Sequence, residues 1–174
     1  MTTFVLYIAT SLDGYIARPD GSIDWLPAPE VEADEDSYSQ FYSTVDALVM
    51  GATTYEQILG FGEWVYPGKR CYVLSRQPRT SDRPEICFVR GGVDEVMERV
   101  AQEGFQRVWV VGGGAIASLL IRRNLIDEYI ITVIPILLGA GIPLYQSIPE
   151  QKLRLIGVRS CASGMVELQY QNSP

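Results

Sequence analysis

Two buried strands that end in glycine and lead straight into a helix constrain the fold of this chain more than any other feature. The first strand, Asp46–Met50, is followed by Gly51 and by a predicted helix over Thr53–Leu59. The second strand, Val108–Val111, is followed by Gly112–Gly114 and by the helical pattern AIASLLIRRNL. Glycine permits a tight turn between a strand and the helix that packs on it. Repetition of this unit predicts a parallel sheet with helices between its strands.

The remaining hydrophobic patterns complete the sheet. Further strands are predicted at Phe4–Ala9, Arg70–Arg76, Ile86–Val89, Glu128–Leu138, Leu153–Ser160 and Met165–Gln171, and further helices at Val93–Glu103 and from Pro29 to Val45. The last three strands have no helix between them, which predicts antiparallel strands at one edge. We therefore expect a three-layer α/β fold with a mostly parallel central sheet and helices on both faces. A length of 174 residues fits one domain over 1–174.

Composition excludes several classes of function. The net charge of -7 disfavours nucleic acid as a partner, because affinity for a phosphate backbone comes largely from Lys and Arg. The chain has no histidine, which excludes Ser-His-Asp and Cys-His catalysis and argues against a zinc site. Cys71, Cys87 and Cys161 lie in apolar segments without metal-ligand spacing, so we expect buried thiols and no bound metal.

The sequence also predicts where the protein resides. Asp13 and Gly14 interrupt the apolar run near the N-terminus, so a secretory signal is not predicted. The most apolar stretch, Tyr129–Tyr145, is broken by proline and glycine and is shorter than the roughly 20 residues of a membrane-spanning helix. We expect a cytoplasmic protein with no membrane partner.

A long segment rich in glycine and proline, Ser11–Pro27, follows the first strand. Loops of this length in compact domains usually serve as lids or binding loops. Trp25 stands near the end of the segment, where it either shields a site from water or simply packs on the surface.

The two glycine turns have the geometry of a phosphate site. A helix N-terminus favours anions, and small residues let a ligand approach the backbone. Taken singly, Gly112–Gly114 is also explained as a tight structural turn, and Thr53 and Thr54 as an ordinary helix start. Two such turns after two parallel strands indicate a dinucleotide, whose pyrophosphate helix termini can hold.

A third motif, YVLSRQPRT, delivers Ser75 and Arg76 to the carboxyl edge of the sheet, where ligands of open α/β sheets bind. A guanidinium is a natural partner of a phosphate monoester, so Arg76 suits the 2′-phosphate that distinguishes NADP from NAD. The alternative is a solvated arginine at the end of a strand.

Together, the motifs SLDGYIA, MGATTYE, VLSR, VVGGGAI and PILLGAGIPLY resemble the dihydrofolate reductase superfamily, and within it the bacterial riboflavin-biosynthesis reductases of the RibD C-terminal domain type. The resemblance covers nearly the whole chain and implies a dihydrofolate-reductase-like fold with NADPH across the carboxyl edge of the sheet. It implies a cis peptide bond between the first two glycines of VVGGGAI. The resemblance implies that the nicotinamide lies near Ala9 and Gly14; that the pyrophosphate and ribose phosphate lie at Gly51, Ala52, Thr53 and Thr54; and that the adenosine lies beside Leu74, Ser75 and Arg76. It also implies that the pyrophosphate is covered from the other helix by Val111, Gly112, Gly113, Gly114, Ala115 and Ile116.

The chain departs from the families at two positions. Ala52 stands where many dihydrofolate reductases have a basic residue, so Arg76 carries more of the preference for NADPH. Tyr15 stands where the riboflavin enzymes commonly have a basic residue after SLDG. Neither parent substrate therefore transfers directly to this chain.

The resemblance also implies a carboxylate on the first helix that faces the substrate, and the family spacing from Gly51 leads to Glu35. At helical spacing Asp34 or Glu35 shares a face with Tyr38, and a carboxylate on an apolar face above a cofactor can donate a proton or hold an amidine-like group of a substrate. The alternative is a solvated acidic helix start. Asp13, in the SLDG loop, is a second catalytic candidate, although an aspartate before glycine is also common in ordinary turns. Tyr38 either donates a proton through its hydroxyl or only packs against its neighbours.

Three functional hypotheses follow from the sequence. The first is an NADPH-dependent reductase that transfers a hydride to a C=N or C=O group of a small pterin- or pyrimidine-like substrate. The nearest alternative is the pyrimidine reductase step of riboflavin biosynthesis, and a further one is an NADP-binding module without turnover. With any of them we expect a homodimer formed through the apolar C-terminal strands.

Overall fold

The computed structural model of the chain describes residues 1–27 and 35–173. The strands are β1 Thr3–Ser11, β2 Tyr15–Ala17, β3 Ala47–Gly51, β4 Arg70–Leu74, β5 Ile86–Val89, β6 Arg107–Gly112, β7 Glu128–Ile134, β8 Ile142–Pro143, β9 Leu153–Ser160 and β10 Val166–Asn172. The helices are α1 Glu35–Thr44, α2 Ala52–Leu59, α3 Gly92–Gln102 and α4 Gly114–Arg122.

Eight strands form one sheet in the order β5-β4-β3-β6-β1-β7-β10-β9. The six strands from β5 to β7 are mutually parallel, and β10 runs antiparallel to both β7 and β9. The mostly parallel sheet and its antiparallel C-terminal edge are as predicted. The parallel arrangement brings the carboxyl ends of β1, β3, β4 and β6 to one edge.

Helices cover both faces of the sheet, because successive residues of each buried strand point to opposite sides. On one face, α3 and α4 bury Val96 and Leu120 against Leu6 and Val110. On the other face, α1 and α2 pack with Trp109, and the side chains they contribute are Phe41, Tyr55 and Ile58. The three-layer prediction is confirmed. Within the described residues, no helix is both long and apolar enough to cross a membrane.

Two segments differ from the prediction. The loop over Ser11–Pro27 contains β2, which pairs with β8 in a separate two-stranded ribbon. The strand predicted to reach Leu138 ends at Ile134, because Pro135 has no N–H to donate. There the Ile136 N–H bonds to the Ile134 carbonyl at 2.8 Å and turns the chain.

The first helix and the cysteines are predicted only in part. Helix α1 begins at Glu35, and the portion predicted before it, residues 29–34, lies outside the described residues. Cys71 is buried, as predicted. The prediction of burial is wrong for Cys87 and Cys161, which are half-buried: Cys87 lies in the edge strand β5, and Cys161 directly follows the other edge strand, β9. All three thiols are free.

Candidate active site

Helices α2 and α4 begin beside each other at the carboxyl edge, where β3 and β6 end. A Cβ atom added to Gly51 would lie 3.0 Å from Ile116 Cγ1, in the first turn of α4. A Cβ atom added to Gly113 would lie 3.3 Å from Thr54 Oγ1, in the first turn of α2. Each glycine turn therefore packs against the start of the other helix, and the structure brings the two predicted turns into one site.

The N-termini of α2 and α4 carry no side-chain cap. Their N-cap residues are Gly51 and Gly113, and neither helix has an acidic residue in its first turn. The first N–H groups of a helix have no partner within it, and they give the N-terminus a partial positive charge. Two such termini side by side form a cradle suited to a bound diphosphate.

The second glycine turn, Gly112–Gly114, depends on close backbone approach. Gly112 has φ of +120°, a conformation that favours glycine, and the Gly112–Gly113 peptide bond is cis as the resemblance implied. A Cβ atom on Gly114 would lie 2.5 Å from the Pro143 carbonyl oxygen. The glycine turn is thereby fitted against the segment that contains β8.

The end of β4 supplies two guanidinium groups. Ser75 is buried, and its hydroxyl donates to the Gln77 carbonyl at 2.9 Å while accepting from Arg79 Nε at 3.2 Å. Arg79 also pairs with Glu56 of α2 at 2.6 Å. The Arg76 side chain is exposed and makes no ion pair with any residue in the described ranges. Arg79 was not predicted, although its position three residues after Arg76 was a usable signal.

Asp13 holds the SLDG loop against the segment after β7. Its Oδ1 accepts hydrogen bonds from the Ser11 hydroxyl at 2.6 Å and the Leu138 N–H at 3.1 Å, and its Oδ2 accepts one from the Gly139 N–H at 2.7 Å. The bond from Ser11, followed by those from the two backbone groups, lowers the pKa of Asp13. The carboxylate is therefore charged at neutral pH, and the hydrogen bonds that it accepts fix the SLDG loop to the segment after β7.

Helix α1 carries the two other predicted catalytic residues. Glu35 is its first residue, and the Glu35 side chain lies outside the described residues. The Tyr38 ring stacks on Tyr42 with centroids 5.9 Å apart and meets Trp109 edge-on at 6.0 Å. Burial raises the pKa of Tyr38, so its phenol stays protonated at neutral pH.

A cavity of about 290 Å³ lies over the second half of β1, on the face that α1 covers. Trp25 is buried in one cluster with Ile134 and Met165, two residues that line this cavity. Predicted residues Ala9 and Tyr38 both line it. Among the described residues, the lining consists of Tyr7, Ile8, Ala9, Leu26, Pro27, Tyr38, Trp109, Thr132, Ile134 and Met165.

A second cavity of about 300 Å³ shares Tyr7 with the first and is lined by residues of α1 and of the strands β7 and β10. Its lining is more polar: Arg107 pairs with Glu128 at 2.7 Å, and Glu167 and Gln169 of β10 face the same space. Glu167 is only 5% exposed and was not singled out in the sequence. Its place in the alternating pattern VELQYQ gave no sign that a glutamate would be buried.

Comparison with known proteins places this geometry in a family. The family model described as the RibD C-terminal domain matches residues 2–167. The uncharacterised protein YwjB of Bacillus subtilis (strain 168) is 42% identical over 168 residues, which cover 95% of each chain. The similarity therefore extends over both glycine turns.

Solved structures share the fold. A protein of Shewanella sp. PV-4, named for riboflavin biosynthesis, superposes with a TM-score of 0.87 at 29% identity and covers 99% of each chain. A deaminase/5-amino-6-(5-phosphoribosylamino)uracil reductase of Thermotoga maritima superposes with a TM-score of 0.73 at 15% identity, over 99% of this chain and 57% of that one. With the match of the family model over nearly its whole length, the chain belongs to the RibD C-terminal domain family, whose members have a dihydrofolate-reductase-like fold.

Proposed function

We propose that this chain is an NADPH-dependent reductase that delivers a hydride to a C=N or C=O group of a small pterin- or pyrimidine-like substrate. The observation that carries the proposal is the pair of uncapped N-termini of α2 and α4, which lie side by side at the carboxyl edge. The second glycine turn adjoins the first cavity, since a Cβ atom added to Gly112 would lie 3.3 Å from Ile8, which lines that cavity. A diphosphate matches these termini, and the cavity is of a size to take a small ring. Membership of a reductase-type family supports the same conclusion.

The residues present fit NADPH along the whole edge. A side chain at Gly51 or Gly113 would crowd Ile116 or Thr54, and neither helix start has a side-chain cap, which leaves backbone N–H groups to bind the pyrophosphate. Arg76 would bind the 2′-phosphate, supported from the same loop by Arg79. Ala9, with no bulk beyond its Cβ, would lie against the nicotinamide. When bound, NADPH supplies the hydride for the reaction.

The protein itself must exclude water and provide a proton. Trp109, Ile134 and Met165 give the cavity apolar walls, which strengthen any electrostatic contact inside it. We assign proton donation to Glu35 and place Tyr38, whose phenol stays protonated, as the alternative donor. We assign Asp13 to loop anchoring, because its carboxylate already accepts three hydrogen bonds.

The cofactor assignment is tested by titrating the protein with NADPH and NADH while following tryptophan emission. We expect saturable binding that prefers NADPH and weakens about tenfold or more in Arg76→Ala, because a charge-assisted hydrogen bond is worth roughly 1.5–3 kcal/mol. NADH affinity should stay the same in that variant. Arg90→Ala, another exposed arginine at the end of a strand, is the matched control. If neither nucleotide binds at millimolar concentration, the reductase proposal fails.

Turnover separates the reductase from a binding module. Once a substrate is found, Glu35→Gln should abolish most of the rate while NADPH affinity is retained. Unchanged turnover over the whole pH range would show that Glu35 is not the donor. Membership of the family favours the uracil reductase of riboflavin biosynthesis as a second candidate. The presence of Tyr15, in place of the basic residue that is common after SLDG in the riboflavin enzymes, argues against it. Reduction of that phosphoribosylated uracil by the purified protein would decide for it.

We also propose that the protein is a homodimer joined through β9. This strand is at the edge of the sheet, and Leu155, Ile156 and Val158 are 52%, 45% and 59% exposed. An exposed apolar edge strand is a ready pairing surface. Sedimentation should give a dimer for the native chain and a monomer for Val158→Lys. A native monomer at tens of micromolar contradicts the proposal.

A further inference from the structure

Glu167 is a buried carboxylate that the reaction described above does not use. It lies in the middle of β10 and is 5% exposed. Gln169 Nε2 donates to its Oε1 at 2.9 Å, and Arg159 Nη2 lies 3.6 Å from its Oε2. A carboxylate has about four acceptor positions, and burying its charge is costly unless these are used. Within the described part of the chain, Glu167 therefore has capacity for further donors.

Strand register places Glu167 in line with the expected nicotinamide contact. Ala9 of β1 pairs with Thr132 of β7, and Thr132 pairs in turn with Glu167. Paired residues of neighbouring strands point to the same face, and the strands are about 4.8 Å apart. Glu167 is thus two strands, about 10 Å, from Ala9. A planar ring system seated over Ala9 and Thr132 would direct its far edge toward this carboxylate.

The surroundings of Glu167 define what that edge must offer. Thr132 lines the first cavity, Glu167 lines the second, and Tyr7 forms a wall of both. Burial, followed by the negative charge of Glu167, raises the pKa of Tyr7 to about 12, so the phenol stays neutral beside the carboxylate. Glu167 can only accept hydrogen bonds when ionised. It can accept hydrogen bonds from N–H groups on a ligand, whereas it has no hydrogen to donate to a carbonyl oxygen.

We propose that Glu167 is a substrate-binding residue that selects rings with amidine-like N–H donors at their edge over rings with carbonyl oxygens there. The inference rests on the proposed function, because it takes Ala9 as the neighbour of the nicotinamide. It specifies the substrate class further: an amino-substituted pyrimidine or fused two-ring heterocycle is favoured over a uracil-type ring.

The test uses 2,4-diaminopyrimidine and uracil, two rings of equal size that differ in edge groups, titrated calorimetrically into the NADPH-saturated protein. The native chain should bind 2,4-diaminopyrimidine more tightly. Glu167→Gln preserves size and an acceptor for Gln169 but loses the charge, so affinity for 2,4-diaminopyrimidine should fall about tenfold or more. Uracil affinity should hold or rise, since the new amide can donate to a carbonyl. The readout is the ratio of the association constants for 2,4-diaminopyrimidine and uracil, because a general loosening of the protein would weaken the binding of both rings.

Glu128→Gln is the matched control, since Glu128 lines the same cavity but lies outside the Ala9 row. It should leave the ratio unchanged. If Glu167→Gln does not fold, Glu167→Asp, which withdraws the charge by one methylene, should lower the ratio in the same direction. A native chain without preference for 2,4-diaminopyrimidine, or a ratio unaffected by these variants, overturns the inference. NADPH binding is measured separately by emission, so failure of the reductase proposal is distinguishable.

Discussion

Helix α3 and the pair α2 and α4 begin at the same edge of the sheet, but their N-termini differ in how they are satisfied. In α3, Glu95 of the first turn accepts a hydrogen bond from the Gly91 N–H at 2.7 Å and pairs with Arg99 at 2.8 Å. The first turns of α2 and α4 contain no acid. The positive end of α3 is therefore met by the chain's own carboxylates, whereas the other two ends are left for a ligand.

The strongest way to break this difference is to give α4 an acid of its own. Ala115→Asp places a carboxylate in the first turn of α4, at an exposed position. We expect NADPH affinity to fall about a hundredfold, because like charges brought together in a site cost several kcal/mol. The free protein should become slightly more stable, by about 0.3–1 kcal/mol, through the helix dipole. Titration and thermal unfolding check the two effects.

Ala115→Asn is the control for this variant, since it has the size of aspartate without the charge. It should weaken NADPH far less. Equal weakening by both variants would assign the effect to bulk, and normal binding by Ala115→Asp would show that α4 does not face the pyrophosphate.

The converse change removes one of the two acids, Asp94 and Glu95, from the first turn of α3. Glu95→Ala deprives the Gly91 N–H and the Arg99 guanidinium of their partner, so the melting temperature should fall by a few degrees. NADPH affinity should not change, because the α3 terminus is occupied by the protein. Glu95→Gln, which keeps an acceptor for Gly91, should recover part of the loss. A change in cofactor affinity in either variant would contradict the division between the helices.

Asp13 extends the comparison to the loop, because its charge is also met by internal donors. Its folded pKa lies below the ordinary value of 3.8, so its contribution is present above that pH and is lost as the pH falls through the lower folded value. Asp13→Asn should speed hydrogen exchange of the Leu138 and Gly139 amides at pH 7. At a pH below the folded pKa of Asp13, the native and variant proteins should converge. A difference that persists unchanged into strong acid would exclude the carboxylate as its source.

Much of the fold could be predicted from local patterns. The strand, glycine and helix units around Gly51 and Gly112 repeat a right-handed connection that has few alternatives in a parallel sheet. The ribbon of β2 and β8 could not be predicted, because two or three paired residues within a glycine-rich segment leave no periodicity. Its existence depends on contacts such as the bond from the Leu144 N–H to the Gly14 carbonyl, which join distant parts of the chain.

The site was predictable where the backbone makes it and unpredictable where side chains do. Glycines at helix starts have a direct physical meaning, so the cradle was visible in the sequence. The partners of Ser75 and Arg79 depend on how a loop folds back on itself. Glu167 was hidden because alternation cannot reveal which face of an edge region is open to water and which encloses a cavity.

The strand order has a consequence for how such proteins diverge. The cradle is built at the ends of β3 and β6, whereas Thr132 and Glu167 belong to β7 and β10, with β1 between the two halves. A lineage can therefore exchange residues on β10 and acquire a new ligand without disturbing the turns that are fitted to one another around Gly51 and Gly113. Selection can act on one half of the sheet while the other is inherited unchanged.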